Sequence, residues 1–234
     1  MVINTNVSAQ SSARLLGESS AMLSKSLARL SSGSKIVSPE DDAAGLAVSM
    51  RFDAQINRIG AARTNVSNAI SFAQTQDGFL KKVSTALDRM SELAILAQDV
   101  TKGDADRALY DAEFTKLEGY ISDLTTKDFN GVSLFSGSAL SVVVDSEGKT
   151  YSMNGVAATT YSADAGSVGT ASGAATALST IKTRITSLAT DRATIGANIS
   201  ALNSYNDQLG VLKDNLSAGN SRIKDVDVAE ESTQ

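Results

Sequence analysis

Carboxylates are the side chains here with the widest chemical repertoire, and they gather at two places in the chain. The first group follows the only proline, and the second lies near the C-terminus: Glu40, Asp41, Asp42, then Asp225, Asp227, Glu230, Glu231. Paired carboxylates can serve as general acid and base, and spaced ones can bind calcium. The first group, however, stands where acids stabilise the start of a helix, and the second lacks the glycine and final glutamate of a calcium loop. We interpret both groups as structural.

The composition disfavours most other chemistry. The 234 residues include no cysteine and no histidine, so disulfides, imidazole bases, activated serines and the usual zinc sites are not expected. A net charge of −5 disfavours nucleic acid as a partner, and no apolar run is long enough to span a membrane. We therefore predict a protein that is not an enzyme, holds no cofactor or metal, and binds neither nucleic acid nor membrane.

Two heptad repeats organise the rest of the chain. Every seventh residue is apolar in both, through Phe52, Ile59, Val66, Ala73, Leu80, Leu87, Ala94 and through Ala174, Ile181, Leu188, Ile195, Leu202, Leu209, Leu216. This spacing is typical of helices that coil around another helix. Two seams of equal length, with a turn-rich segment between them, predict an antiparallel pair. The predicted fold class is mainly α, an elongated antiparallel coiled-coil rod of long helices with a small β-hairpin region.

A second position should accompany each seam. We expect it at Ile56, Arg63 and Ile70, slipping after Gly78 to Val83, Met90 and Ala97, and on the return helix at Leu178, Ile185, Arg192, Ile199, Asn206 and Lys213. Arg63 and Arg192 interrupt the apolar pattern and have two interpretations. Each stem lies along the interface with its head in water, or each head contacts a neighbouring molecule and fixes register.

Boundary signals divide the chain into four segments. Residues 1–37 form an N-terminal helical segment with a narrow leucine stripe, which needs a partner to be stable. Residues 38–173 begin with a helix that Ser38 caps and Pro39 starts, expected to run through Gln98. A shorter helix at 110–124, a tight turn at Asn130-Gly131 and a β-hairpin at 140–153 follow.

The remaining boundaries depend on glycine-rich sequence. The tract 156–173 has no periodicity and is predicted to be an exposed connection, in which Ser167→Asp should change little. The return helix, 174–220, should end near Ser217 with Gly219-Asn220 as its stop. Residues 221–234 would open a further segment.

With these elements placed, the chain resembles bacterial flagellin. The motifs that carry the resemblance are Ile3-Asn4-Thr5-Asn6, Leu27-Ala28-Arg29-Leu30-Ser31-Ser32-Gly33, Asp41-Asp42-Ala43-Ala44-Gly45-Leu46-Ala47, Asn68 to Thr75, Arg89 to Ala94 and Phe129-Asn130-Gly131. They cover most of residues 1–135 and, more loosely, 174–228. The sequence resembles a short form that lacks the family's outer variable domains and its last C-terminal helix.

The resemblance implies a secreted structural subunit of the extracellular motility filament. It implies polymerisation with other copies through coiled-coil rods and terminal helices, passage through the flagellar type III export channel, and an export chaperone and a cap protein as partners. A hook–filament junction protein is the alternative within the same structural class. An adhesin or enzyme on a flagellin scaffold is a further alternative, although such proteins need an inserted domain that this chain has no room for.

The resemblance also implies one contact site. By motif, Arg89, Leu93 and Glu113 match residues that contact the host innate immune receptor in the flagellins that it recognises. Arg89 and Leu93 lie one helical turn apart and share a face. The alternative role for these three residues is packing between protofilaments.

Overall fold

The computed structural model describes residues 6–162 and 164–232, and 73% of it is helical. The helices are α1 (Val7–Ser32), α2 (Ala43–Ala97), α3 (Asp104–Thr125), α4 (Thr159–Ser162), α5 (Ala171–Lys224) and α6 (Val228–Glu231). The strands form two antiparallel pairs, β1 (Asp128–Phe129) with β2 (Val132–Ser133) and β3 (Leu140–Val143) with β4 (Thr150–Met153). This confirms the mainly α class of long helices with a small β region.

The chain divides into two compact units. Unit A is Ala61–Leu209, and unit B combines the residues up to Gly60 with those from Gly210 onward. Both long helices, α2 and α5, contribute to each unit. No helix among the described residues is both long and apolar enough to cross a membrane.

In unit A, the two interrupting arginines show how α2 and α5 pair. Arg63 Nε donates to Asn206 Oδ1 at 3.1 Å, and Arg192 Nε donates to Asp77 Oδ1 at 2.8 Å. Asp77 lies two heptads after Arg63 on α2, whereas Arg192 lies two heptads before Asn206 on α5. The helices are therefore antiparallel and keep register over that distance. Both arginine heads are bonded to the facing helix of the same chain.

The predicted second seam is confirmed on α2 after Gly78, at Val83, Met90 and Ala97, and is wrong before it. From Ile59 onward the buried companions lie three residues after each seam residue without any slip, so in the first half they are Ala62, Ala69 and Gln76. Ile56, Arg63 and Ile70 are only half-buried, as are Leu178, Ile185 and Ile199 on α5. The prediction favoured large apolar side chains, but small alanines occupy the face of α2 that is most enclosed.

Two predicted helix boundaries are also wrong. Asp42 caps α2, because its Oδ1 accepts the Gly45 N–H at 2.8 Å, so Ser38 and Pro39 lie in the preceding turn. The return helix α5 continues through Gly219 to Lys224. Gly219 serves close packing and not helix termination, because a Cβ there would already touch the ring of Phe52 at 3.5 Å.

The tract 156–173 is not an exposed connection. Val156, Tyr161, Ala165 and Val168 are at most 3% exposed, and α4 forms within the tract. The tract is held by polar side chains of other helices. Its own small residues show no periodicity, so the sequence pattern does not predict this packing. The turn prediction at Asn130-Gly131 is confirmed: both residues have positive φ and join β1 to β2.

Candidate assembly and contact surfaces

The residues predicted to pack the rod are enclosed by the fold. At most 3% of each is exposed in Ile59, Val66, Leu80, Leu87, Ile181, Leu188, Ile195, Leu202 and Leu209, whereas Phe52 is half-buried. Burial of one such aliphatic side chain contributes about 1.5–3 kcal/mol. Their role in joining α2 to α5 remains a prediction, which the substitutions in the Discussion test.

A polar column on α5 was missed by sequence reasoning. Its members recur at heptad spacing, three residues after each seam residue: Arg184, Asp191, Asn198 and Tyr205. Three of them take partners from β4 or from the segment between β4 and α5. Tyr161 donates its hydroxyl to Asp191, and Tyr151 donates to Asn198 Oδ1 at 3.1 Å.

The same column also holds the hairpin. Asn198 Nδ2 donates to the Asn154 carbonyl at 3.3 Å, and the rings of Tyr151 and Tyr205 lie 5.6 Å apart. One sequence signal could have revealed the polar column. Polar residues recur at every seventh position of α5, one place before the predicted companions. The column fixes the middle segment of unit A against the return helix.

Glu118 and Arg184 form a buried charged group of unit A in which both pKa values are shifted. Burial raises the pKa of Glu118, and the nearby Asp164 and Asp111 raise it further. Burial lowers the pKa of Arg184, which is 5% exposed, although Glu118 and Asp164 oppose that shift. A perturbed acid can mark a catalytic site. Here Glu118 Oε1 accepts the Ala165 N–H at 2.6 Å, so its observed task is structural.

The predicted contact residues Arg89, Leu93 and Glu113 lie in unit A but differ in exposure. Arg89 pairs with Glu113 through two bonds of 2.7 and 3.1 Å and with Glu92 at 2.9 Å, and both ends of the Arg89–Glu113 pair are exposed. The two glutamates raise the pKa of Arg89, and Arg89 lowers the pKa of Glu113. Leu93 is 0% exposed, so it is not available to another protein while the unit is folded.

In unit B, α1 is a helix with no buried residue. Asn6 caps its start by accepting the Ala9 N–H, and Gly33 ends it in the left-handed conformation. Its large apolar side chains are 57–73% exposed at Val7, Leu15, Leu16, Met22, Leu23 and Leu27. An amphipathic helix with an uncovered apolar face is a surface suited to another helix.

The C-terminal end of α1 is tied down by polar contacts. Asp41 pairs with Lys25 and Arg29, and Arg29 also pairs with Glu231. The Lys25 ammonium, helped by the N–H groups of Ser38 and Val37, lowers the pKa of Asp41 to about 2. Asp41 and Glu231, one from each of the two carboxylate groups, are therefore parts of this anchor.

Backbone bonds complete the anchor. Lys35 N–H donates to the Lys224 carbonyl at 2.7 Å, and Val226 N–H donates to the Gly33 carbonyl at 3.2 Å. Asp227 caps α6 through the Ala229 N–H. Within residues 6–162 and 164–232, no group of three carboxylates is arranged to hold a metal ion.

Two family models match most of the chain. The model described as bacterial flagellin N-terminal helical region matches residues 3–140, and the bacterial flagellin C-terminal helical region matches residues 178–234. Residues 3–5 and 233–234 of these matches lie outside the described part of the structure.

Similar proteins are also flagellins or flagellar filament proteins. Flagellin FlaB2 of Treponema pallidum is 30% identical over 99% of this chain and 88% of its own length, and the 30.7 kDa flagellar filament core protein of Treponema maltophilum is 29% identical with the same coverage. Flagellin A of Vibrio anguillarum is 38% identical over 59% of this chain, which spans 37% of that relative.

Solved structures support the fold. Bacillus cereus flagellin superposes with a TM-score of 0.56 at 23% identity, over 62% of this chain and 88% of that one. A Vibrio parahaemolyticus chain described as a flagellar hook-associated protein gives a TM-score of 0.68 at 15% identity, over 79% of this chain and 100% of that one. At these identities the likeness concerns the fold alone.

Proposed function

Because the chain belongs to the bacterial flagellin family, we propose that it is a structural subunit of the flagellar filament and polymerises with copies of itself. Flagellins form the extracellular filament, and this chain would serve there in motility. The matches to both flagellin helical regions favour this role over that of a hook–filament junction protein.

The exposed apolar face of α1 carries the proposal that terminal helices drive assembly. In unit B the apolar side chains Leu16, Leu23 and Leu27 follow heptad and turn spacing on one helix and are all more than half exposed. An isolated helix of this kind gains stability when its apolar face packs against another helix. Contacts between copies would supply that partner, and unit A would stiffen each subunit.

Filament growth tests this assignment. The chain is produced in a flagellated bacterium whose own flagellin has been deleted, and filaments are counted by electron microscopy. We expect filaments with the unchanged chain and none with Leu16→Asp/Leu23→Asp, because charges on the apolar face cannot be buried against another copy. Ser11→Asp/Ala21→Asp, at two exposed positions on the other side of the same helix, is the matched control and should retain filaments. Normal filaments from the leucine variant would refute the role of α1.

The export chaperone, the cap protein and the host receptor belong to the proposal as expected partners. For the receptor, Arg89 and Glu113 offer an exposed surface, whereas Leu93 would act only by packing α2 beneath them. Arg89→Ala should weaken receptor binding by the soluble chain, and Lys116→Ala on the exposed side of α3 should not. Loss of filaments with unchanged receptor binding would instead assign Arg89 to packing between protofilaments.

We propose no catalytic role. The family is structural, and Glu118, whose pKa is raised by burial, accepts a backbone N–H. Secretion would use the flagellar export route that the family resemblance implies.

A further inference from the structure

Residues 164–170, which we name the latch, connect the middle of unit A to the start of α5. Two of its side chains are enclosed, since Ala165 is 3% and Val168 0% exposed. Among the described residues, two carboxylates of α3 are bonded to the latch. Asp111 Oδ1 accepts the Val168 N–H at 2.7 Å and the Ser167 hydroxyl at 2.8 Å, and Glu118 Oε1 accepts the Ala165 N–H at 2.6 Å.

The backbone of the latch is not held by backbone hydrogen bonds to α3 or to a strand of the described structure. Between Asp164 and Gly169, within the described part of the chain, no backbone N–H or carbonyl pairs with the backbone of another element. Its internal bonds are local, from the Gly166 N–H to Asp164 and from the Gly169 N–H to Ser167 Oγ. A short segment with two buried side chains and few anchors has the features of a low-stability opening unit.

The charges around Glu118 weaken one of the anchors. Burial and the nearby Asp164 and Asp111 all raise the pKa of Glu118, which opposes a charged carboxylate at this anchor. Asp111 accepts two hydrogen bonds from the latch, whereas Glu118 accepts one. The anchor at Asp111 therefore has the larger share in keeping the latch shut.

A glycine on α5 shows how closely the latch must lie. A Cβ at Gly173 would stand 2.5 Å from the Ser167 carbonyl oxygen and 3.0 Å from Thr170 Oγ1. The closed latch is thus compatible with glycine at this position and clashes with any side chain.

We propose that the latch opens and closes as a unit while α2, α3 and α5 stay folded, with Asp111 as its main anchor and Gly173 as the position that permits closure. Opening exposes Ala165, Val168 and the α3 carboxylates without separating the long helices. The inference concerns unit A alone and does not depend on the proposed filament function. The segment between the hairpin and α5 then moves independently of the long helices.

Cysteine labelling tests the inference, because the natural chain contains no cysteine. Val168→Cys reports latch opening, and Val83→Cys, also 0% exposed but on α2, reports opening of the helices. With a thiol reagent at one pH, we expect Cys at 168 to react at least about tenfold faster than Cys at 83. Equal rates at the two positions would overturn the proposal.

Two further variants identify the anchors. Gly173→Ala should speed labelling at 168 by about tenfold and leave position 83 unchanged, although alanine is the better helix former. Gly196→Ala is the matched control, because a Cβ there meets nothing within 4 Å. Asp111→Ala should have the same effect as Gly173→Ala, since it removes two bonds to a charged acceptor, whereas the exposed Asp123→Ala should not. No acceleration with either latch variant would refute the assigned anchors.

Amide hydrogen exchange in the unsubstituted chain tests latch opening without relying on variants that could misfold. The amides of Ala165 and Val168 should exchange faster than those of Leu80 and Val83 in the middle of α2. Exchange of both sets at a common rate would show opening of the whole unit, and the latch would then not be independent.

Discussion

Units A and B share two helices but are stabilised by different means. In unit A the seams of α2 and α5 are enclosed, and every predicted seam residue from Val66 to Leu209 is at most 3% exposed. In unit B, α1 buries no side chain, and its end is held by ion pairs around Asp41 and Arg29. The rod of unit A therefore depends on apolar burial, whereas α1 in unit B depends on charge and a few backbone bonds.

The difference is instructive because the heptad repeat alone does not distinguish the two. Leu16, Leu23 and Leu30 have the same spacing as Leu188, Ile195 and Leu202. The second set is buried, at no more than 3% exposure, whereas Leu16 and Leu23 are 73% and 62% exposed and Leu30 is half-buried. A subunit of a polymer can afford an uncovered stripe where another copy supplies the cover.

The largest expected effect is in the seam of unit A. Leu188→Asp places an unpaired charge where the leucine is 3% exposed and should lower the free energy of unfolding by about 3–5 kcal/mol. Thermal unfolding followed by circular dichroism measures it. Ala189→Asp, the exposed neighbour, should change little. Equal melting temperatures for the two variants would contradict the seam.

The polar column of unit A should give a moderate effect. Tyr161→Phe leaves Asp191 without the hydroxyl that it accepts, and we expect a loss of about 1–3 kcal/mol. Denaturant unfolding measures the change, and Tyr120→Phe, at a tyrosine that is 44% exposed, is the control. A loss of similar size from both would indicate that the column does not support the middle segment.

A smaller effect is expected where the sequence predicted almost none. Ser167→Asp should destabilise unit A by about 1 kcal/mol, because the new carboxylate faces Asp111 and replaces a hydroxyl donor. Ser172→Asp, in the first turn of α5, should be neutral or slightly stabilising through the helix dipole. Calorimetry measures the stability of both variants. Equal stabilities would support the prediction that the tract 156–173 is an exposed connection.

The anchor of unit B should respond to acid while unit A remains folded. The pKa of Asp41 is about 2, below its ordinary value of 3.8, so its stabilisation is complete above pH 3.8 and disappears as pH falls toward 2. In that window the α1 amides should lose protection in nuclear magnetic resonance spectra. Asp41→Asn should lose the same protection already at pH 6, and a variant with an unchanged acid profile would exclude Asp41 as the anchor.

Sequence periodicity by itself determined the helical class, the two long helices and their seams. Burial at a seam repeats every seven residues, so apolar residues such as Ile59, Leu80, Ile181 and Leu202 leave a pattern that needs no coordinates. The turn at Asn130-Gly131 was equally readable, because its backbone conformation selects those two residue types. The motifs of the terminal regions pointed to the family on the same local basis.

Tertiary structure alone decided what faces each helix. Ala62 and Ala69, which are 2% and 9% exposed, are the buried companions on α2, although larger residues lie nearby in sequence. Asp42 caps α2 in place of the predicted Ser38. The neighbouring Asp41 instead accepts hydrogen bonds from the Val37 and Ser38 N–H groups and pairs with Lys25. The segment 156–170 is packed because Asp111, Glu118 and Asp191, distant in sequence, accept its donors. Local sequence records the preferences of a residue, whereas contacts between distant residues depend on where the whole chain brings them.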